Sequence, residues 1–238
     1  MIGNNWIAFG ITLALAFLWL RFMDFVAQRG WISSRLSRKI IHIGTGPIFV
    51  LCWLLFDNQP SGRFLAALIP LAITIQFMLV GFGWIKDEAS VKAMSRSGDR
   101  KEILRGPLIY GIVFVIVTLL YWQNLIGMVA LMVLCGGDGI ADVVGIRMES
   151  PKIPWALNKT IAGSISLFIG GSLLSFLVLF VFSLAGRLPA TLSSFMPGVL
   201  VISFVAMLVE SLPFKDIDNL TVPLASVILG QFLFGALL

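Results

Sequence analysis

Long apolar runs, separated by short polar segments, dominate the hydrophobic pattern of this sequence. Most of these runs approach the roughly 20 residues that a helix needs to cross the hydrocarbon core of a bilayer. No segment between them is long enough for a soluble domain of ordinary size. The pattern therefore predicts an all-α, multi-pass membrane helical bundle that forms a single membrane-embedded domain over residues 1–238. We expect about eight transmembrane helices, with seven as the alternative because the second and fourth runs are short: 5–22, 43–56, 64–84, 107–122, 124–146, 161–186, 192–209 and 220–238.

The charged residues predict an orientation for these spans. Of the 17 Lys and Arg residues, only Arg63 and Arg187 fall on one side of the predicted membrane, and all the others fall on the opposite side. Basic residues accumulate in short cytoplasmic loops, so an even number of spans with both termini on the non-cytoplasmic side is favoured. Of the 12 acids, only Asp57 falls on the outer side. This distribution indicates a polar site on the cytoplasmic face, although short outer loops would also leave few acids outside.

Composition supports the membrane class and weakens others. The chain is 58% hydrophobic and 12% charged, against roughly 25% charged residues in soluble domains. The first apolar run follows no basic region and precedes no cleavage site, so we expect a retained span rather than a signal peptide. Cys52 and Cys135 lie in separate apolar runs and are expected to be packing residues. The net charge of +5 is explained by the cytoplasmic loops, and nucleic-acid binding has no independent support.

The segment GGDGIADVVG, residues 136–145, places two carboxylates at the end of the fifth predicted span. Asp138 and Asp142 are four residues apart, so on a helix they project from one face, one turn apart. Two such carboxylates repel each other unless they share a cation, and Mg²⁺ bound to phosphate oxygens fits this pair. The alternative is that the helix ends before them and both acids are solvated. The glycines of this segment would let phosphates approach the backbone: Gly136, Gly137 and Gly139.

The segment KIPWALNKTIAGS, residues 152–164, leads into the sixth predicted span. The free backbone amides and the dipole at the start of a helix favour anions, and lysines precede this start. The segment therefore predicts a nucleotide-phosphate site, unless its lysines only follow the orientation rule for cytoplasmic loops. Its candidate residues are Lys152, Asn158, Lys159, Thr160, Gly163 and Ser164.

Two further polar segments are candidates for the same face. In SRKIIHIGTG, residues 37–46, Arg38 and Lys39 can share a helical face with His42, the only histidine of the chain. This group can bind phosphate or anionic lipid headgroups, and a lone histidine beside an apolar run is also often a packing residue. The segment VESLPFKDIDNLTVP, residues 209–223, is either a polar hairpin or a source of a metal contact, a base or nucleotide recognition. Its candidates are Glu210, Asp216, Asp218 and Asn219.

Several familiar motifs are absent from the sequence. There is no GxxxxGK[ST] phosphate loop and no protein-kinase motif set, so nucleotide chemistry would need another phosphate-binding arrangement. Neither GxSxG nor HExxH occurs, which argues against a serine hydrolase and a zinc protease.

Taken in order, RKIIHIGTG, GGDGIADVVG with NKTIAGS, and VESLPFKDIDNLTVPLAS resemble the phytol kinase and dolichol kinase family of CTP-dependent polyprenol kinases. The motifs span about residues 38–226, and their set, together with the short length, is closer to phytol kinases. The resemblance implies an enzyme that transfers the γ-phosphate of CTP to an isoprenoid alcohol such as phytol or geranylgeraniol, as in phytol salvage for tocopherol-type lipids. The sequence departs from the family pattern in NKTIAGS, because many relatives carry Ser after this lysine. The roles that the family implies are therefore assigned to Lys159 and Gly163 more directly than to Thr160.

The family and the residues together imply a set of roles. Asp138 and Asp142 would bind Mg²⁺, and Lys159 with Lys152 would neutralise the triphosphate. His42 would act as a phosphate ligand or a base for the alcohol. Arg38 and Lys39 would complete the phosphate site. The catalytic set is thus Asp138, Asp142, Lys159 and His42.

Two other functions remain as alternatives. A cytidylyltransferase acting on a lipid phosphate would keep the phosphate-binding features but release pyrophosphate. A membrane transporter would place its paired acids near the bilayer midplane. For the kinase we expect membrane lipids as partners and an active site on the cytoplasmic-equivalent face of a bacterial inner or thylakoid-type membrane, or of a plastid or endoplasmic reticulum membrane in a eukaryote.

Overall fold

The computed structural model describes residues 3–156, 159–213 and 217–235. In this part of the chain the regular elements are helices, apart from one isolated antiparallel bridge between Lys152 and Thr160. Short 3₁₀ turns occupy Trp53–Leu55 and Arg100–Leu104, and a π-helical segment occupies Val133–Asp138. The α-helices are α1 (Asn5–Gln28), α2 (Ser34–Cys52), α3 (Pro60–Phe82), α4 (Glu88–Met94), α5 (Gly106–Leu120), α6 (Leu125–Met132), α7 (Gly139–Arg147), α8 (Ile161–Leu184), α9 (Leu192–Glu210) and α10 (Asp218–Phe234).

Seven helical stretches of the described chain are long and apolar enough to cross a membrane. The eighth predicted span corresponds to α10, which is apolar but has 17 residues. The prediction of an all-α, multi-pass bundle is therefore confirmed, and the number of long spans among the described residues is seven, the alternative count. These are Asn5–Gln28, Ser34–Leu55, Pro60–Phe82, Arg100–Leu120, Leu125–Arg147, Ile161–Leu184 and Leu192–Glu210.

The two runs that looked short gain length from their polar flanks. The second begins at Ser34 rather than at 43, because the Ser33 side chain accepts a hydrogen bond from the Leu36 amide and caps the helix there. The stretch Ser34–Leu55 then has 22 residues, and Arg100–Leu120 has 21. Basic residues are good helix formers, so the helix continues beyond its apolar part.

The chain divides into two compact units, Met1–Leu119 and Leu120–Leu238. The first contains α1 to α4 and nearly all of α5. Its core joins residues of α1, α2, α3 and α4, including Met23, Ile41, Phe77 and Ala93. In this unit α4 packs against both α1 and α2.

In the second unit, α6, the π-helical segment and α7 form one continuous helical stretch, Leu125–Arg147. All eight residues of α6 are buried, and α8 packs along the π-helical segment and α7. The contact is close, since a Cβ on Gly136 would lie 2.7 Å from the Gly170 carbonyl oxygen of α8. Helix α8 also packs against α9, and α9 packs against α10. This arrangement brings the ends of several helices together.

Candidate active site

Three carboxylates meet within the second unit. Asp138 ends the π-helical segment, Glu210 ends α9, and Asp218 begins α10. One oxygen from each carboxylate lies within 4.8 Å of the other two. Glu210 is buried at 6% exposure, whereas Asp138 and Asp218 are half-buried. We call these three residues the acidic cluster.

Lys159 lies against the acidic cluster. Its Nζ is 2.7 Å from Glu210 Oε1 and 3.1 Å from Asp218 Oδ2, and it also donates to the Glu210 carbonyl oxygen. Burial acts to lower the pKa of Lys159, but the carboxylates of Glu210 and Asp218 outweigh it and raise this pKa above its ordinary value. The ammonium therefore stays charged at neutral pH.

The segment before α8 holds Lys159 in position. The Ile153 amide donates to the Lys159 carbonyl at 2.9 Å, and the Ile161 amide donates to the Pro151 carbonyl at 3.0 Å. Trp155 Nε1 donates to Ser211 Oγ at 3.4 Å, just beyond Glu210. The chain thus folds back on itself and is tied to the end of α9, the helix that supplies Glu210.

The first turn of α8 forms further contacts with the cluster. Thr160 caps the helix, since its Oγ1 accepts from the Gly163 amide at 3.2 Å. Ser164 Oγ donates to Glu210 Oε2 at 3.4 Å, so both carboxylate oxygens of Glu210 have partners. At Gly163 the helix passes close to α7, because a Cβ there would lie 3.0 Å from the Ala141 carbonyl oxygen.

Asp142 lies outside the acidic cluster. The helical stretch continues to Arg147, so the alternative in which it ends before the two aspartates does not hold. Asp142 is half-buried on α7, but the acidic cluster joins Asp138 to Glu210 and Asp218 instead. Metal binding by Asp138 and Asp142 stays a prediction.

The other predicted residues of this unit lie around the cluster or beyond the described chain. Asn219 is half-buried next to Asp218, and Lys152 is exposed. Gly136 and Gly137 pack against α8, where an added Cβ would meet Leu174 and Leu167. The lack of a side chain at these two positions thus has a packing reason. Phosphate binding by these glycines and by Gly139 stays a prediction. Asn158 and Asp216 lie outside the described residues.

The predicted basic group belongs to the first unit, on α2. Arg38 Nη1 donates to the Met94 carbonyl at 3.4 Å, and Lys39 is buried at 8% exposure. The His42 ring lies 4.3 Å from the Tyr110 ring, whose hydroxyl donates to the His42 carbonyl at 2.8 Å. Sequence reasoning missed Tyr110, because an aromatic residue in an apolar run gives no signal of its own. Phosphate binding by this group stays a prediction.

The donor set of the acidic cluster fits a divalent cation. Carboxylate oxygens are the ligands that Mg²⁺ takes in proteins. Three carboxylates beside one ammonium leave an excess of negative charge in a partly buried place, and a cation bound there would offset it.

The helices and the cluster define a multi-pass membrane protein with a carboxylate and lysine site at the ends of its helices. Curated relatives cover most of the chain. Farnesol kinase of Arabidopsis thaliana, a chloroplast protein, is 40% identical over 230 residues, which are 95% of this chain and 75% of the relative. Phytol kinase 1 of Arabidopsis thaliana is 36% identical over 232 residues, with 95% and 76% covered, and a probable phytol kinase 1 of Glycine max is 39% identical over 218 residues, with 90% and 72% covered.

The chain belongs to the phytol kinase family. No family model matches the sequence. No solved structure matches it either.

Proposed function

We propose that this protein is an integral membrane kinase that transfers the γ-phosphate of CTP to an isoprenoid alcohol, giving an isoprenyl monophosphate and CDP. The names of the relatives, phytol kinase and farnesol kinase, support the reaction class and the acceptor. The structural observation that carries the proposal is the position of Lys159 between Glu210 and Asp218, beside Asp138. A fixed cation next to a group of carboxylates suits a bound triphosphate with its metal ion.

Phosphoryl transfer requires positioning and charge neutralisation more than covalent chemistry. Asp138, Glu210 and Asp218 would hold Mg²⁺, whereas Asp142, which helical spacing predicts as the second ligand, lies outside this cluster and would support it indirectly. The ion would supply charge neutralisation on the triphosphate. Lys159, which stays protonated, would neutralise phosphoryl oxygens whose charge shifts in the transition state. Ser164 orients Glu210 through the hydrogen bond to its Oε2.

The acceptor fits a protein of this kind. A long isoprenoid chain gains roughly 0.8 kcal/mol for each buried CH₂ group, so it stays in the bilayer or between helices and only its hydroxyl needs to reach a polar site. Arg38 and Lys39 would add phosphate contacts, and His42 would bind phosphate or accept the hydroxyl proton. The product would serve tocopherol-type lipid synthesis. The chloroplast names of the relatives support a plastid or thylakoid-type membrane, and the basic loops support a site on its cytoplasmic-equivalent face.

Product analysis with purified protein tests the reaction. The protein is incubated in lipid nanodiscs with γ-labelled CTP, Mg²⁺ and either phytol, geranylgeraniol, farnesol or dolichol. We expect labelled isoprenyl phosphate and CDP, and less product when UTP or ATP replaces CTP. Release of pyrophosphate with a CDP-lipid, when an isoprenyl phosphate replaces the alcohol in the same assay, would instead identify a cytidylyltransferase, and absence of any Mg²⁺-dependent nucleotide turnover would reject the enzyme.

A lysine pair tests the site within the same assay. Lys159→Ala is expected to lower kcat/KM for CTP by roughly 100-fold, the size typical of losing one group that stabilises transition-state charge. Lys86→Ala removes an exposed lysine of the first unit and is the matched control, expected to stay near the wild-type value. Equal losses in both variants would contradict a triphosphate site at Lys159.

A further inference from the structure

A tight turn before α8 presents Trp155 at its tip. The Ala156 amide donates to the Ile153 carbonyl at 3.1 Å, which closes a turn of residues 153–156. Pro154 stands at the second position of this turn, where the fixed φ of proline favours the conformation. Ile153 and Ala156, at the two ends of the turn, are buried, whereas Trp155 is 61% exposed. The turn is therefore anchored at both ends and directs a large aromatic ring outward.

The exposed ring is fixed by a hydrogen bond at one edge. Trp155 Nε1 donates to Ser211 Oγ at 3.4 Å, and Ser211 Oγ in turn donates to the Leu208 carbonyl at 2.7 Å. Ser211 is buried, so this hydroxyl holds the indole from within the protein. No aromatic ring of the described residues packs against Trp155. A ligand that stacks on this ring would therefore gain contact with little loss of side-chain freedom.

The surroundings of Trp155 differ from those of two other exposed tryptophans, Trp31 and Trp84. These two follow shortly after the spanning helices α1 and α3, and each packs against a phenylalanine of that helix. Such positions are typical of the aromatic belt at a membrane surface. Trp155 instead lies in the middle of the segment between α7 and α8 and is tied to the end of α9. A place in the aromatic belt does not require this attachment, so the ring calls for another role.

The same segment joins Trp155 to the candidate phosphate site. The Ile153 amide donates to the Lys159 carbonyl at 2.9 Å. Lys159 Nζ lies 2.7 Å from Glu210 Oε1, and Ser211, which holds the indole, directly follows Glu210 in the chain. One end of the segment thus carries an ammonium beside the acidic cluster, and its tip carries an exposed aromatic ring. A nucleoside triphosphate has the matching order of groups, with phosphates at one end and a flat aromatic base at the other.

We propose that Trp155 stacks on the base of the donor nucleotide, while Lys159 and the acidic cluster take its triphosphate. The inference rests on the proposed function for the presence of a nucleotide. Stacking on an aromatic side chain tolerates any base, because every base has a π-face. Trp155 therefore contributes affinity for CTP and UTP alike and does not select between them.

Nucleotide binding in the absence of any alcohol tests the stacking. Labelled CTP or UTP is titrated with Mg²⁺ against the full chain in lipid nanodiscs. Trp155→Leu keeps an apolar side chain but has no ring, and we expect both Kd values to rise by roughly 5- to 100-fold, the range typical of losing one base–aromatic stack. Trp155→Phe keeps a ring and should stay within about threefold of the wild type. An unchanged Kd in Trp155→Leu, or equal losses in the two variants, would overturn the proposal.

Inorganic triphosphate and a second tryptophan provide the controls. Triphosphate has no base, so its Kd, measured by calorimetry, should be the same in Trp155→Leu as in the wild type. Trp84→Leu removes another exposed tryptophan and should leave the Kd for CTP unchanged. Equal weakening of CTP and triphosphate binding in Trp155→Leu would mean that the change disturbs the phosphate site. Equal weakening of CTP binding in Trp84→Leu would indicate a general effect of exposed tryptophans. Either result would overturn the proposal.

Tryptophan fluorescence gives a signature that a purely structural role would not produce. The chain has seven tryptophans, so a base stacked on one of them should quench a minor part of the emission. Trp155→Phe should still bind CTP but lose this quenching, whereas Trp84→Phe should keep it. This measurement also covers the case in which Trp155→Leu does not fold. Quenching that persists in Trp155→Phe would contradict stacking on Trp155.

The outcomes separate this inference from the proposed reaction. CTP binding that depends on the ring of Trp155, without formation of an isoprenyl phosphate, would refute the kinase and keep the stacking site. Phosphorylation of the alcohol by a protein whose Kd for CTP does not depend on this ring would keep the kinase and refute the stacking. Absence of CTP binding by the wild type would reject both.

Discussion

At the scale of single residues, the acidic cluster owes its composition to three distant parts of the sequence. Asp138, Glu210 and Asp218 come from the ends of different helical elements. Glu210 and Asp218 lie at the ends of α9 and α10, whereas Asp138 lies within the continuous helical stretch Leu125–Arg147. Charged groups within membrane helices are costly and are usually functional, so the position of Asp138 supports a role for the cluster.

Two aspartate variants distinguish the cluster from the pair predicted by helical spacing. Asp218→Asn removes a member of the cluster and is expected to lower Mg²⁺-dependent kcat/KM by roughly 100-fold. Asp142→Asn changes an acid outside the cluster, and we expect a loss of about tenfold, the low end for a group that supports metal ligands indirectly. Mg²⁺ titrations of the CTP kinetics give both numbers. The reverse order would favour Asp138 with Asp142 as the metal ligands.

The raised pKa of Lys159 leads to a prediction about pH. A raised folded-state pKa means that the ion pairs contribute their full stability below the ordinary lysine value of about 10.4, and lose it only as pH rises through the folded pKa above that value. The difference in thermal midpoint between wild type and Lys159→Met should thus be constant from pH 6 to 9. Differential scanning fluorimetry in detergent measures it. A difference that shrinks as pH rises towards 9 would show that Lys159 titrates there.

At the scale of helices, close packing of α8 on the π-helical segment is what holds Asp138 in place. A Cβ on Gly170 would lie 2.6 Å from the Gly136 carbonyl oxygen, so the two backbones are nearly in contact. Small residues commonly allow such approaches between membrane helices.

Replacement of Gly170 tests this packing. Replacing Gly by Ala within a helix usually stabilises the folded protein by about 1 kcal/mol. A Cβ at Gly10 in α1 would lie in open space, so Gly10→Ala should stabilise the protein or be neutral. Gly170→Ala should instead destabilise by about 1–3 kcal/mol, because the added methyl group forces backbones apart. Thermal unfolding in detergent compares the two variants. A higher midpoint for Gly170→Ala than for wild type would contradict the close contact.

The hydrophobic pattern was sufficient to locate the helices, but not the partners within the site. Runs of apolar residues locate α3, α8 and α9 to within a few residues, because lipid and core both require apolar side chains. The second span was predicted to begin at 43, whereas α2 begins at Ser34. The basic residues between these positions are helical but give no hydrophobic signal. The pairing of Asp138 with Glu210 and Asp218 depends on how α9 and α10 pack, and spacing along one helix can only suggest Asp142.

At the scale of the whole molecule, the charge asymmetry of the loops predicts a sidedness that labelling can test. Cys52 and Cys135 are buried and form no disulfide with each other, so replacing both with Ala gives a background without thiols. A single cysteine is then introduced by Ser97→Cys, in a basic segment, or by Ala190→Cys, near Arg187. Both positions are exposed. A membrane-impermeant maleimide added outside sealed cells should label position 190 and leave position 97 unlabelled until lysis. The opposite pattern would invert the predicted orientation.

The π-helical segment Val133–Asp138 makes the direction of one carboxylate depend on how the chain before it is wound. Such a segment is geometrically an α-helix that accommodates one extra residue. If the same residues were wound as a regular α-helix, the extra residue would turn everything from Asp138 onward by about 100° relative to α6. The aspartate would keep its neighbours in sequence but would point away from Glu210 and Asp218. For this family, a chain that lacks one residue at this place would therefore need a regular α-helix there to point its aspartate in the same direction.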